Sequence, residues 1–203
     1  MSGYPVVLDG ESIDALVVGG GSVAARKVRA LLDAGARVRV VAPAIGEPLR
    51  AMARADARCT LVERSYESSD LDGATFVVAA TSDRALNAAI AAEARCAPRL
   101  VNVADDPDAG NCVTVAVHRA GDLVIGVSAG GVPGAAARIR DAIAARFDDR
   151  YAAALRALAA LRRRLLAAGD RTAWQRAHDA LVGERFCERV EAGVVADEVA
   201  AWR

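Results

Sequence analysis

Short apolar, β-branched runs alternate with alanine-rich stretches of helical spacing through the first hundred residues. Ala15–Val18, Arg37–Val41, Thr60–Val62, Phe76–Ala79 and Leu100–Val103 read as strands. Between them, Val23–Ala34, Glu47–Ala55 and Arg84–Arg95 read as helices, and Gly35 stands where the first helix must stop. Strand and helix in strict alternation predict a doubly wound parallel sheet of the α/β class.

Beyond Val103 the pattern changes. Val113–Val117 and Leu123–Val127 are apolar runs separated by His118-Arg119-Ala120-Gly121-Asp122, which is hairpin chemistry. A loop from Ser128 to Gly134 leads into a helical stretch from about Ala135 to Arg146. From Tyr151 onward only helical patterns remain, with breaks near Gly169-Asp170, Gly183 and Gly193. Leu155, Leu158, Leu161 and Leu165 recur at three and four residues, as on a buried helix face. The predicted plan is a dinucleotide-binding domain over 1–112, a hairpin-plus-helix segment over 113–148, and a C-terminal helical domain over 149–203. A hairpin outside the main sheet exposes pairing edges, so the middle segment is expected to make a homodimer.

The chemistry begins where Leu16-Val17-Val18 runs into Gly19-Gly20-Gly21-Ser22-Val23-Ala24 and a helix follows. This is the G-x-G-x-x-G/A fingerprint of a Rossmann domain in its strand–turn–helix setting. Gly19 permits the tight turn, Gly21 lets the backbone approach a pyrophosphate, and Ala24 keeps helix and strand close. The helix N-terminus then offers free N–H donors and partial positive charge to the phosphates. The acid expected at the end of the second strand, to hold a ribose 2′-hydroxyl, is absent: the segment reads Arg37-Val38-Arg39-Val40-Val41-Ala42-Pro43-Ala44. On these residues alone NAD and NADP stay open.

Ligands of open α/β sheets sit at the carboxyl ends of strands. The fourth strand ends in Ala79-Ala80-Thr81-Ser82-Asp83, where Asp83 has the place of a helix cap. The fifth ends in Asn102-Val103-Ala104-Asp105-Asp106-Pro107. One of these aspartates could shape the turn before the proline, and the other could serve as a general base near the nicotinamide end of a dinucleotide.

Composition narrows the class. Acidic and basic side chains balance at 26 each, so no global field points to nucleic acid. Lys27 is the only lysine. Cys59, Cys96, Cys112 and Cys187 form no Cys-x-x-Cys pair, and His118 and His178 stand far apart, so no metal site is expected. No basic leader and no apolar run of spanning length appears, which predicts a soluble cytoplasmic protein with no membrane partner.

Taken together, Gly19-Gly20-Gly21-Ser22-Val23-Ala24-Ala25-Arg26-Lys27, Val41-Ala42-Pro43, Ala79-Ala80-Thr81-Ser82-Asp83 and Asn102-Val103-Ala104-Asp105 resemble the siroheme-synthase dehydrogenase family, the precorrin-2 dehydrogenase module. The resemblance runs over roughly residues 1–150, and the helical tail is similar in character. It implies oxidation of precorrin-2 to sirohydrochlorin with NAD⁺ and, in bifunctional members, ferrous iron insertion as a lyase step. It implies Asp105 as general base, and dinucleotide contacts at Ser22, Val23, Pro43, Ala44 and Thr81. It further implies a tetrapyrrole site and dimer interface involving Asn102, Ser128–Gly131 and Arg138. With such a substrate, Arg119 and Arg140 are expected as further clamps for its carboxylates, alongside Arg138.

The chain departs from the family at Ser128-Ala129, where a second hydroxyl is usual, and at Pro133-Gly134, where Ser-Pro is common. Any serine-based regulation is thereby put in doubt. No counterpart of a fused methyltransferase half is present in 203 residues, so precorrin-2 is expected from a separate enzyme. Two rivals remain at this level: another nicotinamide oxidoreductase on the same scaffold, and a redox sensor that reads NADH for a partner. A short-chain dehydrogenase is disfavoured, because its Tyr-x-x-x-Lys needs a lysine away from the glycine loop.

Overall fold

The computed structural model describes residues 3–202, which form two compact units dividing between Thr114 and Val115. The first unit carries five parallel strands: β1 (Asp14–Val18), β2 (Arg37–Val41), β3 (Cys59–Val62), β4 (Phe76–Ala79) and β5 (Leu100–Val103). Their spatial order is β3-β2-β1-β4-β5. Helices α1 (Ser22–Asp33), α2 (Glu47–Ala55) and α3 (Arg84–Ala94) connect them. The doubly wound sheet expected from the alternation is therefore present.

Helices cover both faces of the sheet, which explains why the central strands β1 and β4 are almost wholly apolar. Val17, Val40 and Val78 pack with Val28 of α1 and Leu49 of α2 on one face. Leu16, Val77 and Val101 pack with Ile90 of α3 on the other. Each such side chain stabilises the fold by about 1.5–3 kcal/mol through burial. Val18 aligns with Val41 on one side and Ala79 on the other, so the carboxyl ends of β1, β2 and β4 lie level. The order reverses direction between β1 and β4, and that switch point is where the sheet opens a crevice. Gly35 ends α1 as expected, with its N–H donating to the Leu32 carbonyl and that of Ala36 to Leu31.

The second unit contains an antiparallel pair, β6 (Ala116–Ala120) and β7 (Leu123–Val127), then α4 (Pro133–Ala144). Helices α5 (Asp149–Ala167), α6 (Arg171–Leu181), α7 (Phe186–Glu191) and α8 (Val195–Ala200) follow. The hairpin exists, but its first strand lies three residues later than the apolar run Val113–Val117 suggested. The turn is only Gly121-Asp122, since Ala120 pairs with Leu123. Gly121 adopts φ +58°, as the first position of a type II′ turn requires, so His118, Arg119 and Ala120 belong to the strand. Breaks between the tail helices fall at the glycines, with Asp148 and Asp170 capping α5 and α6. Leu158 and Leu161 are buried with Tyr151, Leu181, Val190 and Val199, and Leu165 packs at their rim. Leu155 is only half-buried.

Candidate active site

Three elements converge at the carboxyl edge of the first unit. The glycine loop lies between β1 and α1, and each glycine has its own reason for lacking a side chain. A Cβ on Gly19 would stand 2.3 Å from the Ala80 carbonyl oxygen, and its φ of +133° is one that L side chains rarely adopt. On Gly20 a Cβ would stand 1.8 Å from the carbonyl oxygen of Ala44. Gly21 faces open space, with nothing within 4 Å of where its Cβ would be. The first two glycines thus let protein pack on protein, whereas the third leaves a cradle that a Cβ would fill.

Helix α1 begins at Ser22 without a side-chain cap, and its first intrahelical bond runs from Ala25 N–H to Gly21 O. The N–H groups of Ser22, Val23 and Ala24 precede that bond and lie at the positive end of the helix. Ser22 and Val23 are exposed and Ala24 is buried against the sheet. Gly46 N–H donates to the Gly20 carbonyl at 3.0 Å, tying this loop to the one after β2. Pro43 and Ala44 sit exposed on that second loop. These residues fit a dinucleotide: amides and a bare Cα for the pyrophosphate, and a small apolar shelf beside them.

The arginines near β2 are all engaged. Arg37 makes a two-pronged pair with Asp14 at 2.6 and 3.0 Å. Arg39 donates to the carbonyls of Asp70 and Asp72. Arg50 donates to Ile45 O and pairs with Glu63, while Arg64 holds the buried Asp70. That guanidinium keeps the Asp70 carboxyl below the usual carboxylate range.

At the far side of the crevice, Asn87 of α3 is 1% exposed and joins the ends of β4 and β5. Its Oδ1 accepts from Thr81 N–H at 3.1 Å and from Thr81 Oγ1 at 2.8 Å. Its Nδ2 donates to Thr81 O and to Asp105 Oδ1, both at 3.1 Å. Arg84 approaches the other Asp105 oxygen at 3.3 Å. Asp106 instead accepts from the N–H groups of Asp108 and Ala109, so it shapes the turn. Asp105 also lines a cleft of 190 Å³ with Arg84, Ala88, Val103, Asp106 and Ala109. Asp83 caps α3 as expected, accepting from Ala85 and Leu86.

Asn102 is 4% exposed; its Nδ2 donates to Cys112 O, and its Oδ1 has no partner. Ser128 and Arg138 belong to the second unit, exposed after β7 and on α4. So the structure brings Gly19–Val23, Pro43, Ala44, Thr81, Asn102 and Asp105 onto one unit. Ser128 and Arg138 lie on the other. Among the described residues, no cluster of three or more His, Cys, Asp or Glu could hold a metal ion. No described helix is long and apolar enough to cross a membrane.

Residues 6–116 match the family model described as "Putative NAD(P)-binding". The chain belongs to that family. It is 49% identical over 116 residues to the siroheme synthase of Ectopseudomonas mendocina, covering 57% of this chain and 24% of that protein. It is 37% identical over 190 residues to the siroheme synthase of Stutzerimonas stutzeri, covering 93% of this chain and 39% of that one. The matched stretch therefore spans between a quarter and two fifths of these curated relatives. Among solved structures, SirC, a precorrin-2 dehydrogenase, shares the fold with a TM-score of 0.73 at 24% identity, over 97% of this chain and 96% of that chain. The resemblance to the siroheme-synthase module is borne out at the level of family.

Within this NAD(P)-binding module, sequence reasoning missed Asn87. The signal was available, because Asn87 falls at the helical spacing of the buried Ile90, Ala91 and Ala94. A polar residue on a buried helix face needs partners, and here they are the two strand ends.

Proposed function

We propose that this protein is an NAD-dependent precorrin-2 dehydrogenase that yields sirohydrochlorin in siroheme biosynthesis. The observation that carries the reading is the Asp105 carboxylate, fixed by Asn87 at the same sheet edge as the glycine cradle. When bound, the nicotinamide ring supplies a hydride acceptor. Gly21 and the first amides of α1 hold the pyrophosphate, Pro43 and Ala44 shelve the adenosine, and Thr81 flanks the cofactor. Asp105 receives the proton that the macrocycle releases as it is oxidised. NAD rather than NADP is favoured because Arg37, Arg39, Arg50 and Arg64 are each committed to other oxygens, which leaves none of them for a 2′-phosphate.

Asn102, Ser128 and Arg138 are proposed to contact the tetrapyrrole, with the hairpin segment forming a homodimer. Ferrous iron insertion is the second step of the same reading. There the ring nitrogens take the metal ion as substrate and two ring protons leave, Asp105 being the acceptor at hand.

The test incubates the protein with precorrin-2 and NAD⁺ and follows sirohydrochlorin absorbance, then repeats with NADP⁺ and with ferrous ion added. Asp105→Asn is expected to slow oxidation by about two to four orders of magnitude while NAD⁺ still binds. Full oxidation by that variant would remove Asp105 from the mechanism, and no oxidation by the native protein would sink the activity. Light scattering at micromolar concentration tests the dimer, which a monomeric mass would exclude.

A further inference from the structure

Asp105 faces an electrostatic obstacle as a general base for a polyanion. The base must be ionised, and a reduced tetrapyrrole carries carboxylate side chains around its rim. Asp106 adds a second acid to the same 190 Å³ cleft. Like charges brought together oppose one another's ionised forms and hold an anion off. A cation in the cleft is needed to offset them.

Arg84 is that cation. It opens α3, and Ala88 follows one turn later on the flank that lines the cleft. Ala88, Val103 and Ala109 are the apolar lining, so the charge of the cleft comes from Arg84, Asp105 and Asp106. Arg84 Nε lies 3.3 Å from Asp105 Oδ2, whereas Asn87 holds Oδ1. This is the one ion pair of Arg84 among the described residues. Its side chain is 88% exposed against 32% for that of Asp105, so the acid is the sheltered member of the pair and the guanidinium the accessible one. A guanidinium is a planar fork of N–H donors, and contact through Nε leaves its Nη donors for a second carboxylate. The other arginines of α3 and its exit are committed to backbone oxygens: Arg95 donates to Ala109 O, and Arg99 to the carbonyls of Leu71 and Ala74.

We propose that Arg84 is a substrate-binding residue: its Nη donors take an acid side chain of the tetrapyrrole while its Nε stays on Asp105, so that one guanidinium joins substrate to base. The proposal rests on the tetrapyrrole reading above and gives that reading an anchor in the cleft of Asp105 itself. Ser128 and Arg138 belong to the second unit, whereas Arg84 and Asp105 line one cleft of the first. A cofactor phosphate is the other anion suited to such a fork, and the two sources are separated by which ligand an Arg84 variant loses.

Arg84→Met is expected to weaken sirohydrochlorin binding about 5- to 20-fold in a spectroscopic titration, the low side for a charge-assisted hydrogen bond because the fork is open to water. NAD⁺ affinity should hold within about twofold, and KM for precorrin-2 should rise by more than kcat falls. Arg84→Lys should recover part of the binding, since it keeps the charge and loses the fork. Arg54→Met removes an equal charge from the exposed Arg54–Glu47 pair on α2 and should bind sirohydrochlorin within about twofold of the native protein. Unchanged sirohydrochlorin binding in Arg84→Met would overturn the proposal, as would an equal loss in Arg54→Met, the mark of a diffuse field. Loss of NAD⁺ affinity in Arg84→Met, alone or together with sirohydrochlorin, would overturn it too, by assigning the fork to a cofactor phosphate or to the fold. A fall in kcat with binding and KM intact would leave Arg84 as a partner of Asp105 only and strike the substrate contact. If the native protein binds sirohydrochlorin through Arg84 yet oxidises no precorrin-2, the anchor stands and the dehydrogenase reading falls.

Discussion

Asn87→Leu tests whether one amide joins the two halves of the site. The substitution keeps the number and branching of side-chain heavy atoms and removes four hydrogen bonds, three to Thr81 and one to Asp105. Three are between neutral groups, at about 1 kcal/mol each, and the fourth, to a carboxylate, contributes about 1.5–3 kcal/mol. The sum is discounted because Asp105 keeps Arg84 and access to water, leaving an expected loss of about 3–4 kcal/mol. Trp174 and Trp202 both lie in the second unit, so their fluorescence would miss the event. Hydrogen exchange of the β4 and β5 amides reads it directly. A double-mutant cycle with Asp105→Ala then isolates the Asn87–Asp105 bond, with an expected coupling of about 1.5–3 kcal/mol. A coupling below about 0.5 kcal/mol, with stability within about 1 kcal/mol of the native protein, would refute the reasoning.

Further outcomes follow from the same geometry. Gly20→Ala should unfold or badly strain the first unit, because its Cβ would overlap the Ala44 carbonyl. By contrast, Gly21→Ala should fold with native stability by circular dichroism yet lose nucleotide affinity in calorimetry; equal affinity would remove Gly21 from the cradle. Arg64→Met should destabilise the protein at neutral pH, since it removes the guanidinium paired with the buried Asp70 carboxylate. Asp70 has a depressed native pKa, so its stabilisation is present above the ordinary carboxylate range and is lost as pH falls through the native value. The native and Arg64→Met stabilities should accordingly converge in acid, as urea titrations across pH would reveal. Gly121→Ala places a side chain at φ +58° and 2.9 Å from the Ala152 Cβ, at a cost of about 1–3 kcal/mol by thermal melting.

The parallel sheet was legible because its strands are short β-branched runs, the central ones buried on both faces, that alternate with helical stretches. The hairpin was harder to place. Val113, Val115 and Val117 alternate like a strand, yet each is at least 40% exposed, and the register is fixed instead by the Gly121-Asp122 turn. Asp105 and Asp106 could not be separated by composition or spacing, since both sit before the same proline. Only the backbone path shows that Asp106 closes the turn while Asp105 meets Asn87. The engagement of Arg37 and Arg39 was invisible for a similar reason. Their partners lie 23 and 31 to 33 residues away, across strand connections that no local pattern encodes.

The hydrogen bond from Gly46 to Gly20 ties the loop after β1 to the loop after β2, and the Ala44 carbonyl packs where a Gly20 side chain would stand. The two loops are therefore mechanically coupled at Gly20. A variant with an enlarged β2 corner would disturb the start of α1 as well, because Ala44 packs against Gly20 next door. On the proposed reading, nucleotide preference would depend on two loops at once, and changing it would call for paired substitutions rather than a single step.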